Sequence, residues 1–389
     1  MQARRLEPGE RFEARRNAMI AFHGRMSDPE EERRDSLLDD TETWGTFRED
    51  GALMASLTDY PYLTWFDGHR VKSGGVSEAA TFPEFRGMGA MRTLFEAFLP
   101  AAYENGELLS ILCPSSHALY RKFGYGTVCL QSVYTMKPAV LKDYRFDGTA
   151  ELLEPGNSVA AHTALYERFA RRCNLPAVRN EEAQRKHLGA SYYRTRRFCY
   201  LLREGEEAVA YVQFADDRSP SGSILAVWDL AFDGRRGFEA ILGFLARFDL
   251  DYDTIELWLP SEIELLTLIR SSRSFEIAKR TRDNLMVRVI NARQILGLLK
   301  KPADAVFTVR LEDPFIPENC GVFRVCGDTA VPCCGEADLE VSVEALPQMA
   351  VGAVSLAEAE LCPGVTVFRN RETLERVFVR KPIFNTENF

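Results

Sequence analysis

At 389 residues the chain is longer than one hydrophobic core usually supports, so two or three domains are expected. Apolar residues at 46% and charged residues at 27% are an ordinary globular balance, and a formal charge of -9 argues against a nucleic-acid partner while suiting cationic substrates. No apolar run is long enough for a membrane helix, and the Arg- and Glu-rich start lacks the apolar core of a secretory signal. Nine cysteines, an odd number, fit reduced thiols better than a disulfide framework; Cys333-Cys334 lacks metal-ligand spacing and Cys320, Cys326 and Cys333 have no nearby histidine, which argues against a zinc site. The expectation is a cytoplasmic protein with no metal.

The first periodic stretch predicts a helix over 11–26, and strands follow at 44–48, 51–57 and 62–66, with Asp59-Tyr60-Pro61 read as a break. A strand over 75–81 must end near Pro83, because proline pushes the residue before it out of helical dihedrals. The turn Arg86-Gly87-Met88-Gly89-Ala90-Met91 comes next. Beyond it, Met91, Leu94, Phe95, Phe98, Leu99 and Ala102 recur at the spacing of a helix with one buried face. Gly87 and Gly89 let a backbone approach a ligand closely. The unpaired amides of the first helical turn, with the positive end of the helix dipole, suit a pyrophosphate, and Arg86 adds a charge-assisted contact. Glycines kept only for tight packing are the alternative. A nucleotide-triphosphatase loop would end in Gly-Lys-Ser/Thr, and a dinucleotide fold would add a third glycine. Neither is present, so the ligand expected is a coenzyme.

A buried strand over 107–114 leads into a short helix, Ser116 to Tyr125 through Tyr120, closed by Gly124, and a strand returns over 127–136. The middle of the chain repeats this order more weakly. A hairpin pattern spans 197–204 and 207–216, followed by a strand at 224–232, a helix at 238–248 and a strand at 254–259. The stretch Asp233-Gly234-Arg235-Arg236-Gly237 lacks the Gly-x-Gly step, and no tyrosine follows Trp258-Leu259-Pro260 in the place of Tyr120. The last part alternates strands at 306–311, 321–325 and 337–343 with helices at 292–299, 356–361 and 372–379.

Strand, phosphate turn, helix, strand and short helix with a tyrosine resemble the core of the GNAT superfamily of N-acetyltransferases. The wording Ala79-Ala80-Thr81-Phe82-Pro83-Glu84-Phe85-Arg86-Gly87-Met88-Gly89 and Leu119-Tyr120-Arg121-Lys122-Phe123-Gly124-Tyr125 is similar to the Eis (enhanced intracellular survival) acetyltransferases. The resemblance implies a mixed α+β and α/β chain: a coenzyme-binding GNAT domain over 1–146, a degenerate second GNAT domain over 147–286 and a sterol-carrier-protein-like domain over 287–389. It also implies acetyl-CoA as co-substrate, a primary amine of an aminoglycoside, polyamine or lysine-bearing compound as acceptor, and a homo-oligomer, often a hexamer. A non-catalytic protein that binds or senses an acyl-CoA or a lipid is the competing class.

Residue by residue, the resemblance sets Ala79, Ala80 and Thr81 along the pantetheine arm, their backbone offering an amide to the thioester oxygen. It sets Gly87, Met88, Gly89, Ala90, Met91 and Arg92, with Arg86, around the pyrophosphate, and Ser115 and Ser116 against the coenzyme. Tyr120 is the expected general acid and Tyr125 its rival, a phenol near about 10 being nearly matched to a thiol. The expected base is the α-carboxylate of Phe389, which with a reference value near about 3.5 needs desolvation, a relaying water or a purely orienting role. Glu387 and Asn388 are expected beside the amine pocket. Phe22, Trp44, Phe66 and Phe82 are weighed as further pocket walls against plain core packing, which is the commoner fate of such rings.

Overall fold

The structure, a computed structural model, describes residues 1–24, 30, 41–154, 156–189, 195–219, 222–260, 262–270 and 276–387. Four strands precede the glycine turn: β1 (Gln2–Arg5), β2 (Glu42–Phe47), β3 (Leu53–Phe66) and β4 (His69–Thr81), with α1 (Arg11–Ala21) packed across β3 and β4. β3 and β4 form one long hairpin closed by Asp67-Gly68, both at positive φ as a tight two-residue turn requires. Asp59-Tyr60-Pro61 is therefore no break. β2 pairs with β3 only as far as Asp59, so Pro61 lies beyond the end of that partner, where a missing N–H costs the ladder nothing.

The turn opens α2 (Ala90–Glu104), followed by β5 (Leu109–Leu112), α3 (His117–Arg121) and β6 (Gly126–Met136). α2 buries Leu94, Phe95, Phe98 and Leu99 against Trp44, Leu57, Tyr120 and Tyr125. The second unit holds β7 (Thr149–Leu152), α4 (Ala160–Ala170), α5 (Glu181–Leu188), β8 (Arg197–Glu204), β9 (Glu207–Ser219), β10 (Gly222–Phe232), α6 (Gly234–Leu245), β11 (Thr254–Leu259), α7 (Leu265–Leu268) and β12 (Ile277–Val289). Its logic repeats the first: β10 is antiparallel to β9 and parallel to β11 across α6, as β4 is antiparallel to β3 and parallel to β5 across α2. The Gly-x-Gly turn has no counterpart here. Gly237 packs so closely that a Cβ there would strike the Val209 carbonyl, and Arg236 in the first turn of α6 is held at the surface by Glu204 and Glu207.

The two units share one twelve-stranded sheet in the order β1-β2-β3-β4-β5-β12-β6-β11-β10-β9-β8-β7. β12, last in the second unit, pairs with β5 of the first, and β6, last in the first, pairs with β11 of the second. The closing strands are thus exchanged. The C-terminal part adds α8 (Ala292–Leu298), β13 (Val306–Glu312), β14 (Gly321–Cys326), β15 (Thr329–Pro332), β16 (Leu339–Ser342), α9 (Ala345–Val351), α10 (Leu356–Ala359), β17 (Val365–Val367) and α11 (Arg371–Val377) around a five-stranded sheet, β15-β14-β13-β16-β17. Its core is continuous with Phe66, Val71, Leu109 and Ile111 of the first unit. Among the described residues no helix is long and apolar enough to cross a membrane.

Candidate active site

β4 and β5 run parallel from Ser73↔Leu109 to Val76↔Leu112, after which β5 stops and β4 continues to Thr81. From Ser77 onward the edge of β4 facing β5 lies beyond the end of that partner, leaving backbone groups for a ligand to pair. A bulge marks the same place: Ser56 opposes Ala80 and Thr58 opposes Ser77, so β4 carries one extra residue, and Glu78 takes a left-handed φ of 52°. Such backbone costs about 1–3 kcal/mol and persists where the surroundings enforce it. The Glu78 carboxylate is 3.8 Å from Arg15, and Thr58 donates to it at 3.4 Å. Nothing in the sequence marked Glu78, because a carboxylate between Ser77 and Ala79 carries no local sign of a bulge.

Beside the parted strands lies a cleft of about 620 Å3 lined by Ala79, Ala80, Thr81, Arg86, Gly87, Gly89, Ala90, Met91, Arg92 and Ser115. Phe22, Phe85, Leu119, Lys122, Phe123 and Phe315 complete its wall. Met88 is 54% exposed and points elsewhere, and Ser116, the residue before α3, is also outside the lining. Gly87 and Gly89 stand at φ of 80° and 84°, and a Cβ on either would meet only open space. The amides of Ala90, Met91 and Arg92 open α2 with no carbonyl one turn behind them. A cradle of donors at the positive end of a fifteen-residue helix fits a diphosphate. Neither Lys122 nor Phe315 was anticipated; Lys122 carries no local sign of a wall position, and only folding brings Phe315 of the third part to this wall.

Tyr120 is buried, edge-on to Phe95 at 6.2 Å and to Tyr125 at 6.0 Å. Burial pushes its phenol above the usual value, opposed by a hydrogen bond with Ser115, so it stays protonated at neutral pH and its polar end faces a residue of the cleft wall. The Tyr125 hydroxyl is 2.7 Å from Ser110 Oγ, committed deep under α2. Of the four aromatic residues weighed as pocket walls, Phe22 lines the cleft, while Trp44, Phe66 and Phe82 are buried. Asn388 and Phe389 lie outside the described residues.

A second cleft, about 680 Å3, crosses the seam between the units: Tyr60 and Tyr62 of β3 face Arg179, His187, Arg197 and Trp228, with Thr386 and Glu387 of the C-terminal segment between them. Trp228 is the extra residue of a bulge in β10, the counterpart of the β4 bulge. Next to it, Asp229 is fully buried; burial alone would raise its carboxyl, but the His187 hydrogen bond at 2.7 Å and the charges of His187 and Arg179 hold it down at about 2. Tyr211 Oη donates to the other oxygen at 3.0 Å. Among the described residues no group of three His, Cys, Asp or Glu side chains is placed to hold a metal ion.

Comparison with known proteins defines the class. Residues 2–128 match the acetyltransferase (GNAT) domain family, and residues 286–385 match the sterol carrier protein domain family. An uncharacterised N-acetyltransferase of Streptomyces avermitilis is 26% identical over 311 residues, 74% of each chain. A GCN5-related N-acetyltransferase of Anabaena variabilis superposes with a TM-score of 0.87 at 19% identity over the whole of both chains. Eis1 of Mycobacterium abscessus gives 0.82 at 22%, again over both whole chains. A sheet parted beside a glycine cradle, in a chain with these matches, is that of a GNAT acetyltransferase. The first part of the chain is thus a GNAT acetyltransferase domain and the last a sterol carrier domain, with a second unit of the same strand order, without the Gly-x-Gly turn, between them, and the whole shares its fold with Eis1.

Proposed function

We propose that the protein transfers the acetyl group of acetyl-CoA to a primary amine by direct attack of the amine nitrogen on the thioester carbon. The observation that carries this reading is the free edge of β4 lying beside the glycine cradle in one cleft. The co-substrate supplies an acyl group activated as a thioester. The cradle from Gly87 to Arg92, with Arg86, holds the diphosphate, and the edge from Ala79 to Thr81 pairs the pantetheine arm and gives one amide to the carbonyl oxygen as negative charge builds there. As the C–N bond forms and the C–S bond breaks, Tyr120 gives its proton to the departing thiolate.

The amine enters by the second cleft, from the far side of the sheet. Its support is position: Tyr62 in the floor of that cleft lies within electrostatic reach of both Glu387 and Cys113, the residue just past β5 where the strands part. The α-carboxylate of Phe389, two residues beyond Glu387 and so within about 7 Å of extended chain, orients the ammonium or accepts its proton through water. The acceptor class is a small primary amine of the aminoglycoside, polyamine or lysine type, and the assembly expected from the Eis resemblance is a homo-oligomer.

Replacing Tyr120 by Phe is expected to lower kcat about 100-fold, the low end for a lost general acid, and to leave coenzyme affinity intact by calorimetry. A Phe variant as active as the parent in a thiol-release assay over a panel of amines removes the proposed acid. Failure of the parent to bind acetyl-CoA removes the reading altogether.

A further inference from the structure

We propose that Arg179 of the second unit is a positioning residue for acetyl transfer: it clasps the C-terminal segment into the wall of the acceptor cleft. Its side chain is only 3% exposed and holds three groups at once. Nε and Nη2 donate to Glu387 Oε1 at 2.9 and 2.5 Å, Nη2 also donates to Thr386 Oγ1 at 2.8 Å, and Nη1 faces Asp229 Oδ2 at 3.4 Å. The guanidinium lies 4.3 Å from the Tyr166 ring centroid. A lysine cannot reproduce this, because one ammonium lacks the planar fork that reaches two tail residues and a backing carboxylate together.

The segment it holds comes from the third part of the chain and is threaded along the seam of the other two. Asn174 N donates to Pro382 O at 2.8 Å, Phe384 N to Asn174 O at 3.2 Å, Asn385 Nδ2 to Leu175 O at 3.0 Å, and Gln131 Nε2 to Asn385 O at 2.9 Å. Those bonds fix the segment up to Asn385. Beyond it Arg179 and the Asn385 side chain, which accepts from Glu387 N at 2.8 Å, hold the segment as it enters the cleft. Glu387 therefore has a task other than meeting a cationic acceptor: one carboxylate oxygen is tied to Arg179, and the other lies 3.9 Å from His187 Nδ1.

The setting explains why a domain without a phosphate turn keeps a buried ionic cluster. Asp229 follows the β10 bulge, the second unit's counterpart of the free β4 edge, and serves there as the backing charge that keeps a buried guanidinium affordable in free energy. An arginine with neither carboxylate would be an uncompensated charge in a dry seam.

The inference rests on acetyl transfer as the reaction. The test uses the full chain, acetyl-CoA and an amine the parent acetylates, with spermidine as first probe, and compares Arg179→Lys, Arg179→Met and the tail-side double change Thr386→Val with Glu387→Gln. The tail-side protein leaves the Arg179–Asp229 pair in the core and guards against simple misfolding. Expected for Arg179→Met and for the tail-side protein are a fall in kcat/KM of at least tenfold, coenzyme affinity within twofold of the parent by calorimetry, and at least tenfold faster hydrogen exchange confined to the C-terminal segment. Arg179→Lys is expected between them and the parent. Faster exchange with kcat and KM unchanged would reduce Arg179 to a structural tie and overturn the proposal, and so would unchanged exchange in Arg179→Met. A parent inactive on every amine removes acetyl transfer itself, and the positioning role falls with it, an outcome distinct from an active parent whose variants match it.

Discussion

A single glycine decides whether two carboxylates can share the space under β4. Asp59 and Glu107 are both buried, and a Cβ on Gly74 would fall on one oxygen of each. Burial, with the partner carboxylate adding for Glu107, pushes Asp59 up to about 7 and Glu107 up to about 9, so the pair keeps a proton at neutral pH. Unfolded carboxylates titrate near about 4, so between there and about 9 the folded chain binds more protons than the unfolded one. Stability then falls as pH rises through that window. Glu107→Gln, which mimics the protonated form, is expected to flatten the fall; urea midpoints measured from about pH 5 to about pH 9 check it, and an unchanged slope counts against the shared proton. Neither residue drew notice in the sequence, where an aspartate before Tyr-Pro reads as a turn and a glutamate after Asn-Gly reads as a strand end. Tyr120 did, because a short helix closed by Gly124 framed it.

Among the elements, the glycine turn and α2 were the most legible, and for a physical reason: positive φ at Gly87 and Gly89 and a 3.6-residue apolar period are both written within a few neighbouring positions. Gly89→Val sets a branched side chain where the backbone is left-handed and where a Cβ meets open space that a diphosphate would fill. The expected result is a coenzyme Kd raised at least tenfold, about 1.4 kcal/mol, in a protein that still melts cooperatively; titration calorimetry and a thermal scan read both. The helix α9 was illegible because Pro347 sits in its first turn, where proline is tolerated although in sequence it reads as a stop. The β3 strand was cut in two by the same kind of cue, Pro61, which the sheet accommodates beyond the end of β2.

At the scale of the molecule, the strand exchange makes the units interdependent. β5 carries the site from below, and its neighbour β12 arrives from more than 160 residues away in sequence, Met286 to Val289 pairing Leu112 to Leu109. On β12, Arg288 is buried and donates to Phe123 O at 3.0 Å, just past the helix of Tyr120, and to Asp313 Oδ2 at 2.5 Å in the third part. That one guanidinium ties the turn after the Tyr120 helix to the sterol carrier domain. A fragment of residues 1–146 would expose β5 along its whole free edge and leave β6 without either neighbour. It is expected to aggregate or stay unfolded, and a dispersed amide spectrum from that fragment alone would show the exchange to be dispensable.

The sequence by itself determined the local chemistry: a donor cradle opening a helix, a tyrosine in a short capped helix, and a second unit of the same order stripped of its turn. Each depends on neighbours a few positions apart, and backbone dihedrals and side-chain period act at that range. Tertiary structure alone decided where β4 and β5 part, that the closing strands change places, and that Arg179, Asp229 and Glu387 meet in one seam. Those outcomes follow from burial and charge pairing between residues as much as 208 positions apart, a separation over which no pattern in the chain specifies a partner.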